Sequence, residues 1–211
     1  ADLLVPRWRE AHFALVDDGT IYGRELVEAL RLAAETAGLR AVFVDTYRPQ
    51  MENQIALVGR LQRAGATHLF VGGDRDDVAI IGRDAGEIGL DLTLAGGEAL
   101  RADGNDIPLA QGTLMVGLPD YAQAADAAAL KAVTDTGGQP DGYAIPTYAA
   151  VQIAAAAIAD AERTGATAAA ALTSGRFATA LGEVSFDAKG DLSSSPYRLF
   201  RYEETRFIEV K

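Results

Sequence analysis

The chain has 211 residues, 49% hydrophobic and 23% charged, which suits one large globular domain or two small ones. Its formal charge is −11, and sixteen Arg and three Lys are scattered without forming a basic stripe, so the field repels nucleic acid and anionic membrane surfaces. There is no Cys, which excludes disulfides and thiolate metal sites.

The first half alternates short β-branched or aromatic runs with helical periodicity. Strands are expected at 12–16, 41–45, 68–71, 92–95 and 113–118, with helices at 23–37, 53–64 and 76–88 between them. In the first helix Val27, Leu30, Ala34 and Ala37 recur at three- and four-residue spacing and form one apolar stripe. Such alternation predicts a parallel sheet with helices on both faces. The pattern weakens into a loop over 100–111. Helices are then expected at 122–133, 146–163 and 166–181, with Pro146 suited to a first turn.

The last two helices are alanine-rich and have no strand between them, so their apolar faces have no evident sheet to cover. After them, Val184 and Phe186 alternate with polar neighbours as a half-buried strand would. Asp187-Ala188-Lys189-Gly190 then reads as a turn ending in a positive φ, and a β-rich run follows over 197–210. No apolar run approaches the ~20 residues of a bilayer span. No signal peptide is visible, and a start at Ala1-Asp2 without Met is what a mature or trimmed chain is expected to show.

Dinucleotide and phosphate-binding loops are absent, as is the G-x-S-x-G hydrolase elbow. His12 and His68 open candidate strands and read as surface or packing residues. With so few soft ligands no metal or cofactor is expected. Asp17-Asp18 invites a receiver-domain reading, but Lys131 and Lys189 are not where a receiver needs its lysine, and an Asx-type turn is the plainer account. The remaining candidates sit beyond strand carboxyl ends, where a parallel sheet places ligands. Loops 18–23, 71–74 and 95–98 each offer glycine for close backbone approach, and with it Tyr22, Asp74 or Glu98. Three polar tips at matching strand ends predict a small-molecule site.

At these residues the chain resembles the type I periplasmic binding proteins of the branched-chain amino-acid (Leu/Ile/Val) transporter family. Asp18-x-x-x-Tyr22-Gly23 is similar to the first strand-to-helix turn of that family's C-terminal lobe, and Phe70-Val71-Gly72-Gly73 to its GG strand end. The runs 85–90, 143–150 and 182–191 resemble three further family signatures in family order. The resemblance implies an α/β fold of two hinged lobes. Residues 1–135 would form the parallel-sheet C-terminal lobe, 136–183 a helical part of an incomplete N-terminal lobe, and 184–211 the hinge crossing and final strands. Tyr22 would line the cleft, Glu98 would receive a ligand ammonium, and Tyr143 would add an aromatic wall. Asp74 departs from the family Tyr, which favours a more polar or cationic ligand or else a pairing of Asp74 with Arg75.

The implied function is that of a solute-binding component of an ABC importer. It would capture a small amino acid or related amine or amide by lobe closure, without catalysis, deliver it to a membrane permease, and act in the periplasm or outside the cell. A cytoplasmic ligand-sensing regulator of the same fold is the alternative, and a flavodoxin-like enzyme a third. The alanine-rich helices are expected either to swap onto another copy, forming a homodimer, or to expose an apolar patch.

Overall fold

The computed structural model describes residues 1–104 and 106–210. Its strands are β1 (Phe13–Asp17), β2 (Phe43–Thr46), β3 (His68–Gly72), β4 (Thr93–Gly96), β5 (Leu114–Gly117), β6 (Arg176–Thr179), β7 (Gly182–Ser185), β8 (Arg198–Glu203) and β9 (Arg206–Glu209). Its helices are α1 (Ile21–Thr36), α2 (Ile55–Arg63), α3 (Arg75–Glu87), α4 (Tyr121–Ala124), α5 (Ala127–Asp135), α6 (Ala144–Thr164) and α7 (Ala168–Ser174). They group into two compact units, Ala1–Gly117 with Arg198–Lys211, and Leu118–Tyr197.

The first unit is built on a sheet of order β2-β1-β3-β4-β5-β8-β9. β1 to β5 run parallel, while β8 and β9 close one edge antiparallel. The strands read as near-continuous apolar runs because both faces are buried. Ala14, Val16, Leu69 and Val71 face one core with Leu57, Val58 and Leu61 of α2 and Val78, Ile81 and Ala85 of α3. Phe13, Leu15 and Phe70 face the other with Val27, Leu30 and Ala34 of α1. N-terminal turns add Leu4 and Trp8 to that second core. The expected loop 100–111 begins inside a 3-10 turn, Glu98–Arg101, and Asn105 within it lies outside the described residues.

In the second unit the structure differs from expectation at three places. The helix expected over 122–133 is two: Ala125 turns extended, and Asp126 caps α5 by accepting from the Ala129 N–H. An Asp can accept from the exposed N–H groups of a new first turn, and alanine periodicity hides the break. The helix expected over 166–181 ends at Ser174, and its remainder forms β6, paired antiparallel with β7. Gly175 permits this exit, because a side chain there would strike the Phe177 ring. The alanine-rich helices therefore do have a sheet to cover: Ile153, Ala157, Ala171 and Phe177 form its core, with Val184 and Phe186 packed against them.

The third difference concerns residues 182–192. They lie within the second unit, whose limits fall at Leu118 and Tyr197 rather than at 136 and 183. The turn there is as read: Gly190 has φ +90°, and the Asp187 carboxylate accepts from the Lys189 and Asp191 N–H groups. An antiparallel Phe186–Leu192 bridge closes that turn.

Helix α6 also overturns the expectation on apolar length. At 21 residues it is long and apolar enough, by length and composition, to cross a membrane. Alanine supplies much of that character, so no single run of large side chains marks it. Ile145, Ala149, Ile153 and Ala157 are buried at four-residue spacing, the pattern of a helix packed along one face. Val151 and Ile158 are exposed. Replacing both with Gln is expected to leave thermal stability within about 0.5 kcal/mol and to reduce concentration-dependent self-association in analytical ultracentrifugation.

Candidate functional site

The carboxyl ends of β1, β3 and β4 meet at one edge of the first unit. At β1, Asp17 is buried and accepts from the Gly19 N–H and the Thr46 hydroxyl. Asp18 accepts from the Thr20 N–H (2.9 Å) and hydroxyl (2.6 Å), and Thr20 then caps α1 by accepting from the Gly23 N–H. These are the Asx-turn and N-cap bonds that such a strand-to-helix corner calls for.

The glycines serve purposes the sequence did not disclose. A side chain at position 23 would drive into the Gly72 carbonyl, and one at 72 into the Gly23 carbonyl. The turn after β1 and the end of β3 thus touch backbone to backbone, and the Asp18 N–H donates to the Gly72 carbonyl (2.9 Å). Gly73 leaves room for the Tyr47 hydroxyl, and Gly97 for the Tyr22 hydroxyl, which would stand 2.7 Å from a Cβ there. These glycines admit neighbouring parts of the protein rather than a ligand.

Tyr22 is 45% exposed, with its hydroxyl beside Gly97. Glu98, the next residue, opens the 3-10 turn with its carboxylate next to Gly117. The Tyr22 hydroxyl thus lies at the end of β4, one residue before Glu98, while the Glu98 carboxylate lies at the end of β5. Glu98 also accepts from Arg101 Nε at 2.7 Å, and the Arg101 guanidinium stacks 5.0 Å from the centre of the Phe200 ring. This i,i+3 partner of Glu98 was missed by reading strand ends alone, although the spacing Glu98-x-x-Arg101 was available. Both side chains remain over a third exposed, so the pair is worth about 1 kcal/mol or less, and an incoming cation can share the carboxylate.

Asp74 is exposed and caps α3, accepting from the Asp77 N–H (3.0 Å). The alternative pairing with Arg75 is not formed: that guanidinium packs over Gly104 and lies 3.8 Å from Asp76. Tyr143 stands in the second unit, at the N-terminal end of α6, 70% exposed. His68 behaves as the packing residue expected, its ring edge-on to Trp8 at 5.5 Å. Burial lowers its pKa.

Two buried carboxylates of α3 went unnoticed in the sequence. Asp77 accepts from the Tyr47 hydroxyl (3.1 Å) and the Gln50 N–H (2.8 Å). Asp84 accepts from the Gln54 N–H and from Arg83, whose guanidinium also donates to the Glu52 carbonyl. Seven residues apart, these acids tie segment 47–54 along one face of α3. Burial pushes the Asp77 carboxyl above its ordinary value, and burial with nearby Asp77 pushes the Tyr47 phenol up.

The profile of the periplasmic binding protein family matches residues 3–206. A Leu/Ile/Val-binding protein homolog 2 of Brucella abortus (strain 2308) is 29% identical over 209 residues, covering 95% of this chain and 56% of its own length. A homolog 3 of Brucella melitensis is 28% identical, covering all of this chain and 59% of its own. The chain thus spans less than two thirds of the length of these relatives. Among solved structures, an ABC transporter substrate-binding protein of Desulfitobacterium hafniense in complex with Leu superposes with a TM-score of 0.70 at 23% identity, covering 99% of this chain and 63% of that one. A leucine-binding protein of Thermotoga maritima gives 0.70 at 17%, with the same coverage. At these identities the superpositions establish the fold. With a family match over nearly its whole length and a mixed α/β sheet that follows the solved members, the chain belongs to the type I periplasmic binding proteins.

Proposed function

We propose that this chain is part of an exported solute-binding protein that captures a small amino acid or related amine and presents it to an ABC permease. The observation that carries the reading is that Tyr22, in the first turn after β1, and Glu98, just after β4, stand at the edge where a parallel sheet receives ligands. Glu98 accepts the ligand ammonium in a charge-assisted hydrogen bond, and the exposed ring of Tyr22 packs against the ligand body. Tyr143, exposed at the start of α6, is a further candidate aromatic contact for the ligand. The relatives are named as Leu/Ile/Val-binding protein homologs, which supports an amino acid as the ligand class. Asp74 is engaged in capping, so a second cationic contact is not required of it.

Unit two is read as part of the other lobe, and the exposed Val151–Ile158 face of α6 as the surface that the rest of that lobe covers, or that a second copy covers by exchange. Calorimetric titration of the full-length protein tests the function. Saturable binding of L-leucine or another α-amino acid is expected, with none of the N-acetylated form, which lacks the ammonium. Equal binding of both forms would overturn the role of Glu98, and binding of neither would overturn the ligand class.

A further inference from the structure

We propose that Tyr47 and Asp77 are positioning residues for the ligand-facing edge: through them segment 47–54 is clamped on α3 and holds the Gly72-Gly73-Asp74 turn in place. The inference rests on the reading above only in taking that edge to face ligand. Tyr47 is 4% exposed and Asp77 1%, and each oxygen of the Asp77 carboxylate is engaged by one donor from the segment. The Tyr47 hydroxyl occupies the space that a side chain on Gly73 would take, so phenol, carboxylate and turn form one contact chain. Asp77 closes it, because its own N–H donates to the Asp74 carboxylate.

The segment is held in a conformation it would not choose. Gln50 has φ +58°, a left-handed backbone that a non-glycine residue adopts at some energetic cost, and its N–H is the one that donates to Asp77. At the far end the Gln54 N–H bonds Asp84, and the Gln54 side chain donates to the Arg48 carbonyl (2.7 Å). Between the segment and α3 remains a cavity of about 310 Å³, lined by Gln50, Met51 and Glu52 on one side and Asp74, Asp76 and Asp77 on the other. The clamp therefore borders a space that is partly open to solvent.

That arrangement makes the clamp depend on pH in a stated direction. The acids facing Asp77 are Asp18 from the end of β1, Asp74 and Asp76 from the start of α3, and Glu52 from the clamped segment, with the Tyr47 phenol from the end of β2. Burial, then Asp74 and Asp18, raise the Asp77 pKa. Opening the segment would return Asp77 to water and to an ordinary value. The closed form thus binds the proton more tightly, so closure is favoured below the folded pKa and weakens as pH rises through it.

Amide hydrogen exchange and NMR titration of the whole chain without ligand, from mild acid to neutral, test this. The protection of the Gln50 amide, corrected for its intrinsic rate, is expected to fall as the Asp77 carboxyl ionises, and the Gly73 amide signal to move with the same midpoint. Asp77→Asn should abolish both dependences. Tyr47→Phe should leave the fold intact, shift the Asp77 midpoint, and lower Gln50 protection on the order of tenfold. It serves as the readout if Asp77→Asn does not fold. A residue that merely stabilised the core would lower protection everywhere without coupling Gly73 to the Asp77 titration. Persistence of the pH dependence in Asp77→Asn, or a Gly73 signal indifferent to both variants, would overturn the proposal. Because no ligand is present, that outcome is independent of whether the protein binds an amino acid.

Discussion

Gly72→Ala is expected to destabilise the first unit strongly, and Gly59→Ala to act in the opposite direction. A Cβ on Gly72 would meet the carbonyl oxygen, carbonyl carbon and Cα of Gly23, and all three are backbone atoms of a corner fixed by the Thr20 cap and the Asp18 turn. No rotamer change can make room, so β3 or the start of α1 must shift. Overpacking of a rigid site costs about 1–3 kcal/mol, and a backbone obstacle puts this case at the upper end. For a chain of this length that is roughly a 6–12 °C fall in Tm. Gly59 lies inside α2, where a Cβ would meet only the end of the Arg63 side chain at 3.7 Å. Alanine there should gain about 0.5–1 kcal/mol from helix propensity. Thermal melts of the two variants check the contrast, and equal shifts would show that the β1–β3 corner is not rigid.

These glycines also mark where the sequence could be read and where it could not. β1 and β3 were legible because Phe13–Val16 and Leu69–Val71 are buried on both faces, which leaves unbroken apolar runs bounded by turn residues. The starts of α1 and α3 were placed one or two residues late, because the caps Thr20 and Asp74 were not read as such. The second unit was harder, because alanine fits helix, strand border and turn alike. The Ala125 break and the exit at Gly175 lie in runs where apolar periodicity has no contrast.

At the candidate site, Tyr22 and Glu98 were findable because strand order alone brings their loops to one edge. The link from Tyr47 to Asp77 spans thirty residues and depends on a missing side chain at Gly73, so only coordinates reveal it. The same Gly-Gly pairs that suggested ligand approach turn out to be filled by the protein's own backbone and tyrosines. A glycine in a sequence says that something comes close, and leaves open what.

Glu98→Ala in the full-length protein is expected to abolish calorimetrically detectable binding of an α-amino acid. Removing one partner of a hydrogen-bonded charge pair in a closed cleft costs about 2–5 kcal/mol, because the ammonium is left desolvated and unpaired. That is a loss of affinity of roughly thirtyfold to several thousandfold. Glu98→Gln keeps an acceptor of the same shape without the charge and should fall between Ala and the unaltered protein. Arg101→Met provides the opposing control. It removes the cation that now shares the carboxylate at 2.7 Å, while its apolar stem can still pack near Phe200. The exposed Glu98–Arg101 pair is worth about 1 kcal/mol at most, so removing that competitor should strengthen ammonium binding by no more than roughly fivefold. The three variants together separate charge from shape: loss with Ala, partial loss with Gln and a small gain with Met identify Glu98 as the ammonium acceptor. If Glu98→Ala binds with unchanged affinity, the carboxylate has no part in binding and the ligand ammonium is held elsewhere.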